Sequence, residues 1–418
     1  MQRRVLMVAF HFPPGKGSSG LQRTLNFVRH LPEHGWTPRV LTVMAHAHAA
    51  VSEEQLTDVP ADCRVVRAPA FDVSRHLAIA GRYPGCLALP DRWNSWKWWG
   101  VPLGLAHALV WKPDVIWSTY PIVTANVIGR RIARLTHTPW VADLRDSMSD
   151  EAFPPEPNRR RSVLKVERAT VRDTSAVIFT SPGARRMYAE RYPDVPDSHW
   201  HLIPNGYDES SFAAAERRRS GARRHGRCHL LHSGLLDPAD RDPRPFLTAI
   251  AALKSRGALS GARLRVTLRA TGHNALYHEF VNRAGIADIV EIGEMIAYPD
   301  ALAEMMSADG LLVFQGPSCN HQTPAKVYEY LRAGAPVLAL TDDRGDTAAL
   351  LRDAGFDAQD LCNPVAQTEI EKSLPAFLER IERGTSHRAH PEFVRTLSRQ
   401  HQVSVLAAIL DKVVRPAK

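Results

Sequence analysis

Two charged residues, Lys326 and Glu329, are the clearest candidates for chemistry in this sequence. Residues three apart on a helix lie on one face, so these side chains can act on one ligand. A cation beside the free amides of a helix start suits a phosphate group. A carboxylate one turn further along can accept hydrogen bonds from both hydroxyls of a sugar diol. The same two residues could also form a surface ion pair, so the elements that position them must decide.

The elements around this pair form a strand, a loop, a helix and a second strand. Residues 310–314, GLLVF, predict a buried strand, and residues 337–340 predict the next one. Between them, Thr323 is expected to cap a helix with Pro324 at its first position, and Gly334 is expected to end it. In an open parallel sheet such a helix starts at the carboxyl edge, where ligands bind. This placement favours a binding site over an ion pair.

The start of the chain repeats the pattern, with predicted strands at residues 4–10 and 38–43 and a helix between them. The loop between strand and helix contains Gly15, Gly17 and Gly20 at the spacing of a dinucleotide-binding fingerprint. That fingerprint requires an acidic residue after the second strand, and the segment from Val43 to His46 has none. The loop also lacks the Gly-Lys-Ser/Thr of a P-loop. We therefore expect a loop that admits a phosphate or a sugar, with a turn needing positive φ as the alternative.

A third polar cluster, Asp143, Arg145 and Asp146, follows the predicted strand at residues 140–142. The carboxyl end of a strand in a doubly wound sheet is a usual position for functional groups. A structural salt bridge between Arg145 and one aspartate is the competing interpretation. We expect a functional role for the cluster.

Domain organisation follows from a change in composition after residue 208. Residues 209–227 are rich in Ala, Arg, Ser and Gly and predict a basic linker. Strand–loop–helix units then resume at residue 228 and continue to about residue 389. We therefore expect two Rossmann-like doubly wound α/β domains, 1–208 and 228–389, that face each other across a central cleft. A helical tail over about 390–418 is expected to pack back onto the first domain.

Composition excludes several classes of protein. The chain has 418 residues, of which 44% are hydrophobic and 23% charged, as in ordinary globular proteins. Its five cysteines are widely spaced and show no metal-ligand pattern. No apolar run reaches the roughly 18 residues of a membrane helix. We expect a cytoplasmic protein.

The net charge of +9 predicts attraction to polyanions. The basic residues cluster at residues 159–161 and 216–227. Nucleic-acid binding is not expected, because neither of these two runs belongs to a recognisable module. An anionic substrate or an anionic membrane is the expected partner, which would allow a peripheral position on the inner face of the plasma membrane. Residues 91–100 hold four tryptophans, which we expect to pack a helix start, with an interfacial membrane patch as the alternative.

Four separated motifs give the chain a resemblance to the retaining GT-B glycosyltransferases of the family 4 type. They are VAFHFPPGKGSSG, VADLRDSM, LIPNGYD and PAKVYEYLRAGAPVLAL, and together they extend over nearly the full length. The last is similar to the second half of the family's Glu-x7-Glu signature. The resemblance implies the GT-B fold, an acceptor domain followed by a donor domain, and a nucleotide-diphosphate sugar as donor.

The resemblance also implies roles for individual residues. Glu329 corresponds to the glutamate that holds the donor ribose, and Ile296 lies where the family places the nucleobase. The donor-binding set that it implies is Gly17, Ser18, Ser19, Gly234, Ile296, His321 and Glu329. The catalytic set is Arg241, Lys326 and Asp146, and the acceptor side has Arg145 and Asp143. The first glutamate of the signature is replaced by His321, which puts the choice of donor sugar in doubt.

The expected activity is transfer of a sugar to a glycan or lipid-linked acceptor with retention of anomeric configuration. Such proteins commonly assemble cell envelopes or exopolysaccharides. Because no pair of carboxylates can be assigned as nucleophile and acid/base, we expect front-face attack with Arg241 and Lys326 stabilising the leaving diphosphate. No metal and no cofactor are expected. A sugar-nucleotide epimerase, a catalytically silent nucleotide- or glycan-binding protein and an NAD oxidoreductase are the alternatives.

Overall fold

The computed structural model describes residues 2–16, 19–150, 153–218 and 226–414, with only the backbone of Ser19. The chain divides into two compact units. The first contains the residues up to Pro204 together with the stretch from Arg399 onward, and the second runs from Asn205 to Ser398.

The first unit is built on a seven-stranded parallel sheet. Its strands are β1 (Arg3–Val8), β2 (Trp36–Val43), β3 (Val65–Ala68), β4 (Val115–Tyr120), β5 (Trp140–Leu144), β6 (Ala176–Phe179) and β7 (Trp200–Leu202). Its helices up to this point are α1 (Ser19–His30), α2 (Val73–His76), α3 (Trp96–Trp111), α4 (Val123–Thr136), α5 (Pro157–Asp173) and α6 (Pro182–Arg191). The strand order is β3-β2-β1-β4-β5-β6-β7, the doubly wound order with one more strand at the edge.

Two hydrophobic clusters cover the two faces of this sheet. Side chains alternate along each strand, so Leu6 and Val8 of β1 enter one cluster while Val5 and Met7 enter the other. Both faces are therefore buried, which explains why the strands read as continuous apolar runs.

The second unit is built on a six-stranded parallel sheet. It contains α7 (Glu209–Arg218), β8 (Cys228–Ser233), α8 (Arg244–Ser255), β9 (Leu264–Arg269), α9 (Asn274–Arg283), β10 (Val290–Gly293) and α10 (Tyr298–Ser307). It continues with β11 (Gly310–Phe314), α11 (Ala325–Ala333), β12 (Val337–Leu340), α12 (Asp346–Asp353), β13 (Leu361–Cys362), α13 (Gln367–Arg383) and α14 (Pro391–Thr396). The order β10-β9-β8-β11-β12-β13 repeats the order of the first six strands of the other sheet. The predicted class of two doubly wound α/β domains is thus confirmed.

The last helix of the described residues is α15 (Arg399–Val414), which belongs to the first unit. Its apolar residues Val403, Leu406 and Leu410 join the cluster that also contains Leu25 and Val28 of α1. The single helical stretch expected over the tail is therefore two helices, α14 in the second unit and α15 in the first.

The linker predicted over residues 209–227 is wrong for its first half. Residues Glu209–Arg218 form α7, with Phe212 and Ala215 fully buried, while residues 219–225 lie outside the described residues. Arg332 of α11 is paired with Glu209 and Glu216, which lie two turns apart on α7. The segment is therefore an amphipathic helix, which its basic composition did not indicate. Its two glutamates form ion pairs with Arg332, more than a hundred positions away in sequence.

The start of α11 also differs from its prediction. The helix begins at Ala325, with Pro324 as its N-cap residue and without a capping side chain, so Thr323 does not cap it. Its end is confirmed, because Gly334 has φ +72 in the left-handed region. None of the described helices is both long enough and apolar enough to cross a membrane.

Candidate functional site

The switch point of the second sheet lies between β8 and β11, which are hydrogen-bonded neighbours. On either side of such a point the connections leave in opposite directions and open a crevice at the carboxyl ends of the strands. Gly234 follows β8 and has φ +124, a conformation that favours glycine. The backbone therefore turns sharply at the mouth of this crevice.

The ammonium group of Lys326 points to this turn. Its Nζ lies 2.8 Å from Nε2 of His232 and 3.3 Å from the carbonyl oxygen of Leu235. A Cβ atom on Gly234 would lie 2.9 Å from the same Nζ, too close for an ordinary contact. The space for the lysine thus depends on glycine at position 234, which brings these two predicted site residues together.

His232 holds the lysine in place. The residue is fully buried in β8, and its Nδ1 lies 2.8 Å from the carbonyl oxygen of Leu312 on β11. A carbonyl oxygen only accepts, so Nδ1 carries the proton and Nε2 is free to accept one from Lys326. Burial and the nearby lysine keep the pKa of His232 well below its usual value, so the ring is neutral. A neutral acceptor fixes the position of the ammonium group without neutralising its charge.

The electrostatic state of Lys326 follows from this packing. Burial and the nearby Arg241 lower the pKa of Lys326 to about 7, while Glu329 acts in the opposite direction. Nε of Arg241 is buried without a hydrogen-bond partner among the described residues. Two cations are therefore held together with unused donor capacity. An anionic ligand would offset the repulsion between the two cations and would accept a hydrogen bond from Arg241.

Glu329 lies one turn along α11 from Lys326. Its Oε1 accepts a hydrogen bond of 2.7 Å from the hydroxyl of Tyr298, the first residue of α10. Ile296, two residues before that tyrosine, is 36% exposed. The loop before α10 thus carries an accessible apolar side chain close in sequence to the partner of Glu329.

His321 lies in the segment between β11 and α11. It is half-buried, and its Nε2 lies 3.4 Å from the side-chain amide nitrogen of Gln322. The structure brings Gly234, Arg241 and Glu329 together around Lys326 through direct contacts or electrostatic interactions. The role of His321 at the sugar stays a prediction.

The corresponding edge of the first sheet carries Arg145. Its Nε donates a 2.7 Å hydrogen bond to the carbonyl oxygen of Tyr120, and one of its terminal nitrogens lies 3.3 Å from Nδ1 of His11. Burial, then Arg145, and then His48 lower the pKa of His11 to about 3, so this ring is neutral. A Cβ atom on Gly20 would lie 1.4 Å from the guanidinium, so a larger residue there would require Arg145 to move. Arg145 is packed against the first turn of α1.

Asp143 has a structural partner, Arg23, and its predicted role on the acceptor side stays a prediction. It is fully buried and receives two hydrogen bonds from Arg23, of 3.0 and 2.7 Å. Arg23 also donates to the carbonyl oxygens of Ile203 and Pro204. The competing interpretation was a salt bridge between Arg145 and an aspartate, but the residue that pairs with Asp143 is Arg23. Asp146, by contrast, is exposed.

The glycine loop after β1 is described only in part. Gly17 and Ser18 lie outside the described residues, and Ser19 begins α1. Their roles at the donor remain predictions.

One group of described residues has metal-ligand geometry, namely Asp357, Asp360 and His387. Asp357 and Asp360 form the capping box of a short helical turn, and Asp360 accepts from His387 and Arg380. These contacts give the cluster a structural explanation. The expectation of a metal-free reaction stays a prediction.

Sequence reasoning missed His232, Tyr298 and His11. The available signal was position: His232 is a polar residue inside a buried strand, and His11 directly follows the predicted strand at residues 4–10. Tyr298 carried no such signal, because its partner is set by the packing of α10 against α11.

Comparisons with known proteins agree with the fold of the chain. Residues 20–206 match the model of the glycosyl transferase 4-like domain. The structure is similar to HepE from Anabaena in complex with UDP-glucose, with a TM-score of 0.67 and 15% identity over 98% of this chain and 99% of that one. No curated protein sequence matches the chain.

Two further solved structures are similar over the same extent. The α,α-trehalose 6-phosphate synthase from Burkholderia multivorans has a TM-score of 0.63 and 12% identity, over 99% of both chains. The lipopolysaccharide outer core galactosyltransferase WaaB has a TM-score of 0.63 and 10% identity, over 98% of this chain and 99% of that one. The chain therefore has the GT-B fold, and residues 20–206 of it match a glycosyl transferase 4-like domain.

Proposed function

We propose that this protein is a glycosyltransferase that takes a sugar from a nucleoside-diphosphate donor. The observation that carries this proposal is the pair of cations at the β8–β11 switch point, where His232 orients Lys326 beside Arg241. A diphosphate brings the charge and the acceptor oxygens that both groups lack. Glu329, one turn away, is placed to accept hydrogen bonds from ribose hydroxyls, and Ile296 offers an apolar surface to the base.

The reaction that we propose proceeds with retention of anomeric configuration. The bond between the anomeric carbon and the diphosphate oxygen breaks, and the acceptor oxygen attacks on the same face. The acceptor's proton passes to the departing diphosphate. Lys326 and Arg241 stabilise the negative charge that develops on this leaving group, which is where preorganised cations contribute most. The residues contacting Lys326 are a neutral ring and a backbone carbonyl, which suits leaving-group stabilisation better than a covalent intermediate.

We further propose a glycan or lipid-linked acceptor in cell-envelope or exopolysaccharide assembly. The likeness to WaaB supports this choice through shared fold alone. The proposal needs no metal at the donor, because the two cations can supply the positive charge.

The experiment is a thermal-shift screen of UDP, GDP and ADP on the full chain, followed by incubation with the matching sugar donors and proton NMR of the products. We expect stabilisation by one nucleotide, slow release of that nucleotide from its donor, and faster release when acceptor glycan is added. A new sugar nucleotide formed from donor alone would instead identify an epimerase. Binding without any release would identify a silent binding protein.

A further inference from the structure

Helix α3 carries an exposed face made only of apolar residues. Trp96, Gly100, Gly104, Ala108 and Trp111 are buried and pack toward α4 and the sheet. The exposed positions, at 98, 99, 102, 103, 106, 109 and 110, fall on one arc of about 140° at 100° per residue. Each of them is Trp, Pro, Leu, Ala or Val, and Trp98 is 65% and Val110 86% exposed. A helix face of this kind marks an interaction surface.

A second exposed apolar segment adjoins the start of α3. Ala80 and Gly81 have φ +50 and +74, which forms a tight turn that presents Ile79 at 84% exposure. The ring of Phe71 links the two segments, since it lies 5.7 Å from the ring of Trp99 and 6.0 Å from that of His76. We call the exposed residues of α3 together with Leu77, Ile79, Tyr83 and Leu87 the α3 apolar face.

Cations border this surface. Nζ of Lys97 lies 5.1 Å from the centroid of the Trp98 ring, and the exposed Lys112 caps the other end of the helix. Burial and the nearby Arg131 of α4 lower the pKa of Lys97. Neither α3 nor α4 contains an aspartate or a glutamate. The border is therefore positive along the helix, which selects an anionic partner over a neutral one.

We propose that the α3 apolar face docks on an anionic phospholipid bilayer, with Trp98, Val110 and Ile79 at the boundary between headgroups and acyl chains. Lys97 and Lys112 would lie at the level of the lipid phosphates. Tryptophan and lysine at the edge of an apolar helix face are the residues that such an interface favours, because each has an apolar body and a polar end. A protein partner would more often require acidic and basic residues mixed around the apolar centre. The proposal holds whether or not the donor chemistry proposed above is right.

The test is co-sedimentation of the full chain with vesicles of phosphatidylcholine containing phosphatidylglycerol, and with vesicles of phosphatidylcholine alone. The double variant Leu109→Ser, Val110→Ser should bind anionic vesicles at least about tenfold more weakly than the wild type. The double variant Lys97→Glu, Lys112→Glu should lose the preference for anionic over neutral vesicles. Val365→Ser, at a site that is 69% exposed in the second unit, should leave binding unchanged.

Stability and self-association separate the other outcomes. Leu109, Val110 and Val365 are exposed, so thermal unfolding and UDP-induced stabilisation of the two serine variants should match those of the wild type. Lys97 is half-buried, so the glutamate variant is compared with the wild type only after its thermal unfolding has been shown to be unchanged. Failure of the wild type to bind vesicles would overturn the proposal, as would equal binding by the serine variant. A wild-type dimer in light scattering that becomes a monomer in the serine variant would assign the face to a second copy of the chain instead.

Discussion

The two sheets have the same order over six strands, but the cations at their carboxyl edges have different hydrogen-bond partners. In the first sheet, Arg23 is bound to Asp143 and to two carbonyl oxygens, and Arg145 is packed against Tyr120 and Gly20. In the second, Lys326 rests on a neutral histidine, and Nε of Arg241 has no hydrogen-bond partner among the described residues. The cations of the first sheet are therefore bound to groups of the protein itself, whereas those of the second sheet can still bind an anion.

The largest effect is expected from removing the counter-ion of Arg23 at the carboxyl edge of the first sheet. Asp143→Ala leaves the buried guanidinium of Arg23 without its counter-ion, which should lower the free energy of unfolding by about 3–5 kcal/mol. Urea denaturation of the purified variant measures this change. The exposed neighbour Asp146→Ala is the control and should shift stability by less than about 0.5 kcal/mol. Equal stability of the two variants would show that the Arg23–Asp143 pair is not structural.

The second prediction concerns removal of the charge of Lys326 at the carboxyl edge of the second sheet. Lys326→Met should reduce kcat/KM for donor by about 10²–10³-fold, because it removes a charge aimed at the leaving group. The free energy of unfolding should fall by at most about 1–3 kcal/mol, since no buried counter-ion is left unpaired and only Nε2 of His232 loses its donor. The matched control is Arg344→Met, at a side chain that is 88% exposed in the same unit. A variant at position 326 with normal turnover would contradict the assignment of the site.

The third prediction tests how the lysine is held. His232→Asn can retain the hydrogen bond to Leu312 but lacks the ring nitrogen that accepts from Lys326. We expect a loss of about tenfold in kcat/KM, the size of a single hydrogen bond in a buried site. In a double-mutant cycle the same change should have no further effect once Lys326 is methionine. Additive losses would mean that His232 acts independently of Lys326.

The smallest expected effect is a change in the affinity for UDP with pH, as Lys326 loses its proton. With its pKa lowered to about 7, Lys326 is half charged at pH 7 and mostly neutral at pH 8. Affinity for UDP should therefore be full below pH 7 and fall by about fivefold between pH 7 and 8, because binding must then take up a proton. Calorimetric titrations from pH 7 to 9 measure this slope. Lys326→Met should give weak binding with no such slope.

Local pattern was sufficient for much of the fold and part of the site. Buried strands with aliphatic runs, such as β11 and β12, lie where they were predicted, because both faces of a parallel sheet are covered. The short strands β3 and β13 were missed, since two to four residues at a sheet edge carry little periodicity. Spacing on one helix also placed Lys326 and Glu329 on one side of α11.

Other assignments failed because the deciding contacts are distant in sequence. Residues 209–218 have the composition of a linker, yet they form a helix that buries Phe212 and pairs its glutamates with Arg332. Asp143 has the position of a functional residue, but its partner Arg23 lies 120 residues earlier. Neither partner could be identified without the packed sheet.

The amino-acid sequence by itself determined the two doubly wound domains, the helix that carries Lys326 and Glu329, and the glycine at position 234, because each depends on hydrophobic periodicity or on backbone sterics over a few residues. The tertiary structure decided which charges are satisfied. Strand β11 fixes the tautomer of His232 across 80 positions, and that tautomer gives Lys326 a neutral partner. Whether a cation is bound to a carboxylate or left for a ligand depends on such pairings, which form only when distant segments pack together.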